Sequence, residues 1–256
     1  MIIDTHAHYD DSQYDEDRDS LIKSLIKEDV GIVINSAADL KGCRDAIKLA
    51  HTYPFFYANV GIHPSEVGLM TEDTIKEIKK LAADEKVVAI GEIGLDYYYE
   101  DNPEREVQKH WFRRQLELAA ELNMKVVIHS RDAAADTLEM LKEASKLGVT
   151  GDVHCYSYSV EQAREYVKMG YYIGVGGAVT FKNSKKLKEV VKEISIDNII
   201  IETDCPYMAP EPVRGTRNNS ANLKYVVAKI AELKNITEQE VLEITEKNAR
   251  DLFGIK

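Results

Sequence analysis

Five of the seven histidines and two of the carboxylates lie where metal or acid–base chemistry could arise. The N-terminal stretch IIDTHAHYD ends an apolar run with His6 and His8, whose alternate spacing places both rings on one side of a strand. Each of the others follows a later apolar run: His63 in VGIHP, Glu92 in AIGEIGLD, His129 in VVIHSR, His154 in GDVHCYS and Asp204 in IIIETDCP. Imidazole suits zinc and similar ions, and carboxylates also accept manganese or magnesium. These residues therefore predict a metal site.

The elements that must position these side chains are strands and helices in alternation. Short β-branched runs predict eight strands, and longer amphipathic stretches between them predict helices. The predicted strands are Ile2–Thr5, Gly31–Asn35, Phe55–Val60, Val87–Ile90, Lys125–Ile128, Gly151–Val153, Tyr171–Val175 and Asn198–Glu202. Eight strand–helix units favour the α/β class and a (β/α)8 TIM barrel, with a doubly wound open sheet as the alternative. Barrel enzymes build their sites at the carboxyl ends of the strands, where these histidines and carboxylates are predicted to gather.

Two helices have clear sequence signatures. The stretch REVQKHWFRRQLELAAELN predicts a helix whose buried face carries Val107, Trp111, Leu118 and Leu122. Thr237 and Glu240 have the spacing of a capping box, which predicts the start of a further helix after the last strand unit. No internal repeat or Pro/Gly-rich linker interrupts the pattern, so we expect one domain over residues 1–256.

Composition and charge restrict the class of partner. The formal net charge is −11, whereas a protein that holds nucleic acid by a broad basic surface is positive. Attraction of a polyanion must therefore be local, from a few arginines or bound cations. Three widely separated cysteines without a CxxC pair fit a reducing compartment. With no signal-peptide pattern and no apolar run of membrane length, we expect a soluble cytoplasmic protein with neither a membrane partner nor an evident obligate protein partner.

The sequence resembles the TatD family of metal-dependent deoxyribonucleases, within the broader amidohydrolase-like barrels. The resemblance extends over essentially the whole chain and rests on DTHAH, GIHP, IGEIGLDYY, IHSR, HCYS and, most specifically, ETDCPYMAPEPVRGTRN. It implies a divalent-metal-dependent hydrolase that cleaves DNA phosphodiester bonds, in several relatives as a 3′-to-5′ exonuclease. Some relatives remove D-amino acids from mischarged tRNA, which is ester hydrolysis by the same kind of site.

The resemblance also implies a pair of divalent cations, Mg²⁺, Mn²⁺ or Zn²⁺. Four histidines and two carboxylates exceed the three protein ligands of a mononuclear catalytic zinc site, and they suffice for two ions. The implied ligands are His6, His8 and Asp204 for one ion, His129 and His154 for the other, and Glu92 as the bridge. Asp204 would also orient or deprotonate the attacking water, so Asp204 and Glu92 are the predicted catalytic residues.

Two further carboxylates are expected to support the ligands. Glu202 shares the side-chain parity of Asp204, and we expect it to accept a hydrogen bond from a ligand histidine and fix its tautomer. Asp96 either does similar work near Glu92 or is a plain loop carboxylate.

Substrate contacts are predicted from residues near the same strand ends. Arginine forks match phosphate oxygens in a bidentate way, although each arginine also fits a solvated surface. The predicted substrate-binding residues are Arg131, Arg214, Arg217 and His63. The run Tyr97–Tyr99 could stack on bases or serve as buried packing.

Two other functions fit part of this pattern. A small-molecule amidohydrolase would cleave an amide, lactone or phosphotriester, but many such enzymes bridge their metals with a lysine where this chain has Glu92. A non-catalytic metal-dependent scaffold would lack a ligand or Asp204, and all of them are present. DNA is therefore the predicted substrate, and D-aminoacyl-tRNA is the alternative nucleic acid.

Overall fold

Parallel strands and helices alternate along the computed structural model, which describes residues 1–256. The strands are β1 Ile2–Ala7, β2 Val30–Ser36, β3 Phe56–Val60, β4 Val87–Asp96, β5 Lys125–Arg131, β6 Gly151–Val153, β7 Tyr172–Val175 and β8 Ile199–Ile201. The helices are α1 Arg18–Leu25, α2 Leu40–Thr52, α3 Glu72–Leu81, α4 Arg105–Leu122, α5 Ala134–Ser145, α6 Val160–Lys168, α7 Lys185–Glu193, α8 Leu223–Lys234 and α9 Glu238–Phe253. The strands form one eight-stranded sheet in chain order. Sequential parallel strands, each followed by a helix, define the (β/α)8 barrel class, so that prediction is confirmed and the doubly wound alternative is wrong.

The backbone divides into two compact units. The first unit is Met1–Asn35, Cys155–Val167 and Tyr172–Lys256, and the second unit is Ser36–His154 and Lys168–Tyr171. In the first unit β1 pairs with β2 and β7 with β8, and Ala7 bridges to Cys205 just beyond β8. In the second unit β3 to β6 pair in order, all parallel. That residues 1–256 act as one domain stays a prediction.

Four strands, β1, β2, β4 and β5, continue past their predicted ends. β4 runs to Asp96 and β5 to Arg131, and these two residues are partners in the parallel ladder. The prediction stopped where the apolar run stopped, but backbone pairing continues through polar side chains. Glu92 and His129 therefore lie inside strands rather than after them, and so does His6 in β1.

Helix α4 buries a different face from the predicted one. Of the four predicted core positions only Leu118 is buried. The buried residues are Gln108, Phe112, Gln115, Leu116, Leu118 and Ala119. The two glutamines turn this face inward because their amides bond to backbone groups near the ends of β3 and β4.

The C-terminal helix α9 begins as predicted. The Thr237 hydroxyl accepts from the Glu240 N–H at 3.1 Å, and the Glu240 carboxylate accepts from the Thr237 N–H at 2.8 Å. This reciprocal capping box is confirmed. Among all the helices, none combines the length and the apolar character that crossing a membrane requires.

Candidate metal centre

Strand β1 and the segment after β8 bring three predicted ligands of the first unit together. The Nε2 atoms of His6 and His8 are 3.1 Å apart, as the alternate spacing predicts. The Oδ1 atom of Asp204 lies 3.3 Å from Nε2 of His8 and 3.9 Å from Nε2 of His6. The Asp204 N–H donates to the His6 carbonyl at 2.9 Å, which fixes the carboxylate beside the rings. Two imidazole nitrogens and a carboxylate oxygen therefore face a common point.

A buried carboxylate, Asp4, stabilises the segment that carries Asp204. Its oxygens accept hydrogen bonds from the Thr203 N–H at 3.0 Å, the Thr203 hydroxyl at 2.6 Å and the Ser220 hydroxyl at 2.6 Å. Burial raises the pKa of Asp4 to about 6, although the hydrogen bonds from Ser220 and Thr203 oppose that rise. Because Thr203 immediately precedes Asp204, Asp4 ties β1 to the segment that carries the third ligand.

Glu202, the predicted outer-sphere carboxylate, is fully buried in the first unit. Its Oε1 atom accepts a short hydrogen bond from the Cys155 N–H. Glycine at position 174 leaves room for it, because a Cβ there would lie 2.5 Å from Oε2 of Glu202. The predicted contact between Glu202 and a ligand histidine stays a prediction.

In the second unit, one carboxylate oxygen is surrounded by imidazole nitrogens. Oε1 of Glu92 lies 2.8 Å from Nδ1 of His129 and 2.9 Å from Nε2 of His154. The Nε2 atom of His63 is farther away, at 3.7 Å. Glu92 is 3% exposed and His154 5%, and the side chains of His129 and His63 are each 17% exposed, so the group is mostly but not fully shielded from water.

The electrostatics of this group fit a cation. Burial alone would lower the pKa of His129, but hydrogen bonds to Asp96 and Glu92 outweigh it and raise the pKa to about 9. Burial and the neighbouring His129 lower the pKa of His63 to about 3. The field of the two carboxylates, which holds a proton on His129, would equally attract a divalent ion. The donor atoms are of types that bind metal ions, and those of Glu92, His129 and His154 lie within 4.8 Å of one another.

Asp96 orients His129 from the other side of its ring. Its Oδ2 atom lies 3.1 Å from Nε2 of His129, while Nδ1 of the same ring faces Glu92. Metal-binding histidines usually donate their second ring N–H to such a carboxylate, which fixes the tautomer. Asp96 is 2% exposed and is the last residue of β4, so the alternative that it is a plain loop carboxylate is wrong. Asp96 supports His129.

Two buried glutamines on α4 fix the strand ends that carry these groups. The side-chain amide of Gln108 accepts from the Asp96 N–H at 2.8 Å and donates to the Asp96 carbonyl at 2.9 Å. Gln115 makes the same pair of bonds to Ile62, at 2.8 and 3.1 Å, one residue before His63. Neither glutamine was predicted from the sequence to support the site. The signal was two glutamines seven positions apart, on one face of a helix.

The predicted substrate-binding residues differ in how firmly they are held. Arg131 and Arg214 are exposed, and Arg214 lies over the ring of Phe181 at 4.3 Å. Arg217 makes a two-point ion pair with Asp17 at 2.8 and 2.5 Å. His63 is largely buried, and its Nδ1 atom lies 2.8 Å from the Ser65 hydroxyl. Their contacts with a substrate stay predictions.

Known proteins are similar to this chain over almost its whole length. The model of the family described as TatD related DNase matches residues 3–254. An uncharacterized metal-dependent hydrolase of Bacillus subtilis, YabD, is 46% identical over 255 residues, which is 100% of both chains. An uncharacterized metal-dependent hydrolase of Escherichia coli K12, YcfH, is 34% identical over 100% of this chain and 96% of its own length. The crystal structure of the E. coli TatD homologue YjjV has a TM-score of 0.93 and 29% identity, and the match covers 100% of this chain and 98% of that one.

These matches extend over the barrel and over the strand ends that carry both groups of ligands. The curated relatives are named as metal-dependent hydrolases, which agrees with the donor chemistry of the two groups. This chain belongs to the TatD-related family of metal-dependent hydrolases.

Proposed function

We infer that this protein is a deoxyribonuclease that uses two divalent cations and an activated water to hydrolyse DNA phosphodiester bonds, as a 3′-to-5′ exonuclease. The observation that carries the proposal is the convergence of three imidazole nitrogens on one oxygen of Glu92, within 3.7 Å. A family model described as a DNase supports the same substrate class.

We propose the ligand set that the family resemblance implies. The fold class supports it, because all strands of a parallel barrel present their carboxyl ends at one rim. Two sets of residues would each hold one ion, and one carboxylate would serve both ions. The proposed ligands are His6, His8 and Asp204, then His129 and His154, with Glu92 between.

The residues of the chain would divide the work of hydrolysis. Cations held at this centre would supply Lewis acidity, which offsets phosphate charge and lowers the pKa of water from about 15.7 toward 7. Asp204, whose side chain is 21% exposed, would orient the attacking water and take its proton as the new bond to phosphorus forms. The bond from phosphorus to the neighbouring 3′ oxygen would break, and that oxygen would take up a proton from solvent water.

Substrate would be held by local positive charge on an acidic protein. Arg131 and Arg214 can pair with phosphate oxygens, and Arg217 can do so if a phosphate replaces Asp17. His63 would contact the phosphate or the water. We further propose a cytoplasmic protein, which is supported by three cysteines without a CxxC pair.

A substrate panel tests this function directly. The protein is freed of metal with a chelator, reconstituted with Mg²⁺, Mn²⁺ or Zn²⁺, and given single-stranded DNA, duplex DNA, D-aminoacyl-tRNA and simple phosphodiesters. We expect metal-dependent release of 5′-mononucleotides from the 3′ end of DNA. Turnover confined to D-aminoacyl-tRNA would overturn the nuclease proposal.

Variants separate an enzyme from a metal-binding scaffold. Asp204→Asn and His129→Asn should each abolish most of the DNA hydrolysis while the circular dichroism spectrum stays that of the wild type. His110→Asn, on the exposed side of α4, is the matched control and should cleave DNA normally. Undiminished hydrolysis by Asp204→Asn would contradict its role in activating water.

A further inference from the structure

Three exposed side chains at the ends of β4 and β5 form a compact group, which we call the Tyr–Arg cluster: Tyr98, Tyr99 and Arg131. The guanidinium carbon of Arg131 lies 3.8 Å from the ring centre of Tyr98 and 4.9 Å from that of Tyr99. The two rings are 4.9 Å apart and nearly perpendicular, and Arg131 donates to the Tyr99 hydroxyl at 3.2 Å. Tyr98 is 54% exposed and Tyr99 51%, so buried packing does not explain these two residues.

The third tyrosine of the run has a different environment. Tyr97 is half-buried, its hydroxyl donates to Asp136 at 2.7 Å, and the Arg105 guanidinium covers its ring at 4.4 Å. Tyr97 therefore packs α4 and α5 against the strand ends, whereas Tyr98 and Tyr99 face solvent.

The Tyr–Arg cluster is attached directly to the ligands of the second unit. The Tyr97 N–H donates to the Arg131 carbonyl at 2.9 Å, which joins the segment after β4 to the end of β5. The Tyr98 N–H donates to Oδ1 of Asp96 at 2.9 Å, and Oδ2 of the same carboxylate holds His129. A ligand histidine and an exposed tyrosine thus share one buried carboxylate.

We propose that the Tyr–Arg cluster binds a nucleotide of single-stranded DNA beside the phosphodiester that is cleaved, with its base stacked on the exposed tyrosines and its phosphate paired with Arg131. The inference rests on the proposed nuclease function and assigns base stacking and phosphate pairing at that site to these three residues. Aromatic rings bind bases of any sequence by stacking, and a guanidinium group adds both a flat stacking surface and a phosphate contact.

The same geometry disfavours duplex DNA. In a duplex each base is stacked between its neighbours, so stacking on tyrosine first requires the helix to open, which costs free energy. A single strand requires no such opening. The Tyr–Arg cluster therefore makes single-stranded ends the preferred substrate without reading their sequence.

The test measures binding separately from catalysis. Fluorescence polarisation in the presence of a chelator gives the affinity for a labelled oligothymidylate and for an abasic strand of the same length, which keeps the phosphates and lacks the bases. Tyr98→Ala and Tyr99→Ala should each weaken oligothymidylate binding at least about 5-fold, while abasic binding changes less than about 2-fold. Arg131→Ala should weaken binding of both strands, and Tyr98→Phe should bind both as the wild type does.

Tyr57 offers a matched control in the same unit. It lies at the amino end of β3, is half-buried, and has Lys86 over its ring at 4.7 Å, so it is a tyrosine–cation pair away from the strand ends that carry ligands. Tyr57→Ala should bind both strands like the wild type. In the metal-loaded enzyme, the two alanine variants should raise KM for single-stranded DNA, whereas Tyr57→Ala should not.

The outcomes distinguish this inference from the function on which it rests. Wild-type affinity for oligothymidylate in both Tyr98→Ala and Tyr99→Ala would overturn the inference alone, provided that the wild type cleaves DNA. Equal losses for abasic strands would overturn it as well, since stacking would not be involved. A wild-type protein that neither binds nor cleaves any DNA would overturn both proposals.

Discussion

The carboxylate of Glu92 helps to orient His129, one of the candidate metal ligands. Oε1 of Glu92 meets Nδ1 of His129 at 2.8 Å, and the other ring nitrogen of His129 meets Asp96 at 3.1 Å. The imidazole is held between two carboxylates, so its orientation is set before an ion arrives. A lysine in place of Glu92 would bring a positive charge of its own and would leave His129 and His154 without this acceptor.

Replacement of Glu92 by glutamine tests the charge without changing the shape. Glu92→Gln should lower the affinity for Mn²⁺ by more than the roughly 10- to 100-fold that loss of an outer-sphere partner costs. Isothermal titration calorimetry at neutral pH measures this affinity. Glu106→Gln, at the exposed start of α4, is the control and should bind Mn²⁺ as the wild type does. Equal affinities of Glu92→Gln and wild type would remove Glu92 from the ligand set.

At the scale of elements, the alternation of strands and helices could be predicted because it depends on local patterns. The apolar runs indicated all eight strands, and the spacing of Thr237 and Glu240 indicated the start of α9. The ends of β4 and β5 could not be predicted from hydrophobicity, because their ladder continues to Asp96 and Arg131 through polar residues.

The inner face of α4 could not be predicted for a related reason. Gln108 and Gln115 count as surface residues in a hydrophobic pattern, yet both are at most 1% exposed. Their bonding partners are backbone groups 12 and 53 residues away, which a helical period does not reveal. The types and order of the candidate ligands were visible in the sequence, whereas the supports that position them depend on tertiary contacts.

Loss of one such support should affect both stability and metal binding. Gln108→Leu leaves the buried Asp96 N–H without its acceptor, which should cost about 1–3 kcal/mol in the free energy of unfolding. Because Asp96 orients His129, Mn²⁺ affinity should also fall about 10-fold. Urea unfolding and calorimetry measure the two effects.

The control for this variant is a glutamine that supports nothing buried. Gln239 is exposed on α9 and bonds only to Glu243, so Gln239→Leu should change stability by less than about 0.5 kcal/mol. If Gln108→Leu had the same free energy of unfolding and the same affinity for Mn²⁺ as Gln239→Leu, the amide of Gln108 would have no positioning role.

At the scale of the whole molecule, charge is the main constraint on how a polyanion can bind. The chain carries a formal charge of −11, so any attraction for DNA must come from a few groups at the site. The predicted contributors are the guanidinium groups of Arg131, Arg214 and Arg217.

Salt dependence measures how many of these groups contact phosphate. Three contacts on single-stranded DNA predict a slope of about −2 for the logarithm of the binding constant against the logarithm of the salt concentration. Titration of a labelled oligothymidylate by polarisation at several NaCl concentrations, in the presence of a chelator, gives the slope. A slope steeper than about −4 would indicate the broad basic surface that the composition excludes.

Metal should also stabilise the folded chain as a whole, because the ligands come together only on folding. At a free Mn²⁺ concentration of 100 times its dissociation constant, the linkage relation gives about 2.7 kcal/mol, or a rise of roughly 5 to 10 °C in Tm for a chain of this length. Differential scanning calorimetry with and without Mn²⁺ tests this. An unchanged Tm in the wild type would contradict metal binding by the native state.

Anomalous diffraction from crystals grown with Mn²⁺ tests most directly whether the two groups of ligands form one dinuclear centre. We expect two manganese peaks per chain, about 3.5–4 Å apart, with the Glu92 carboxylate in contact with both. His6, His8 and Asp204 should surround one peak, and His129 and His154 the other. A single peak, or two peaks with no ligand in common, would contradict the account.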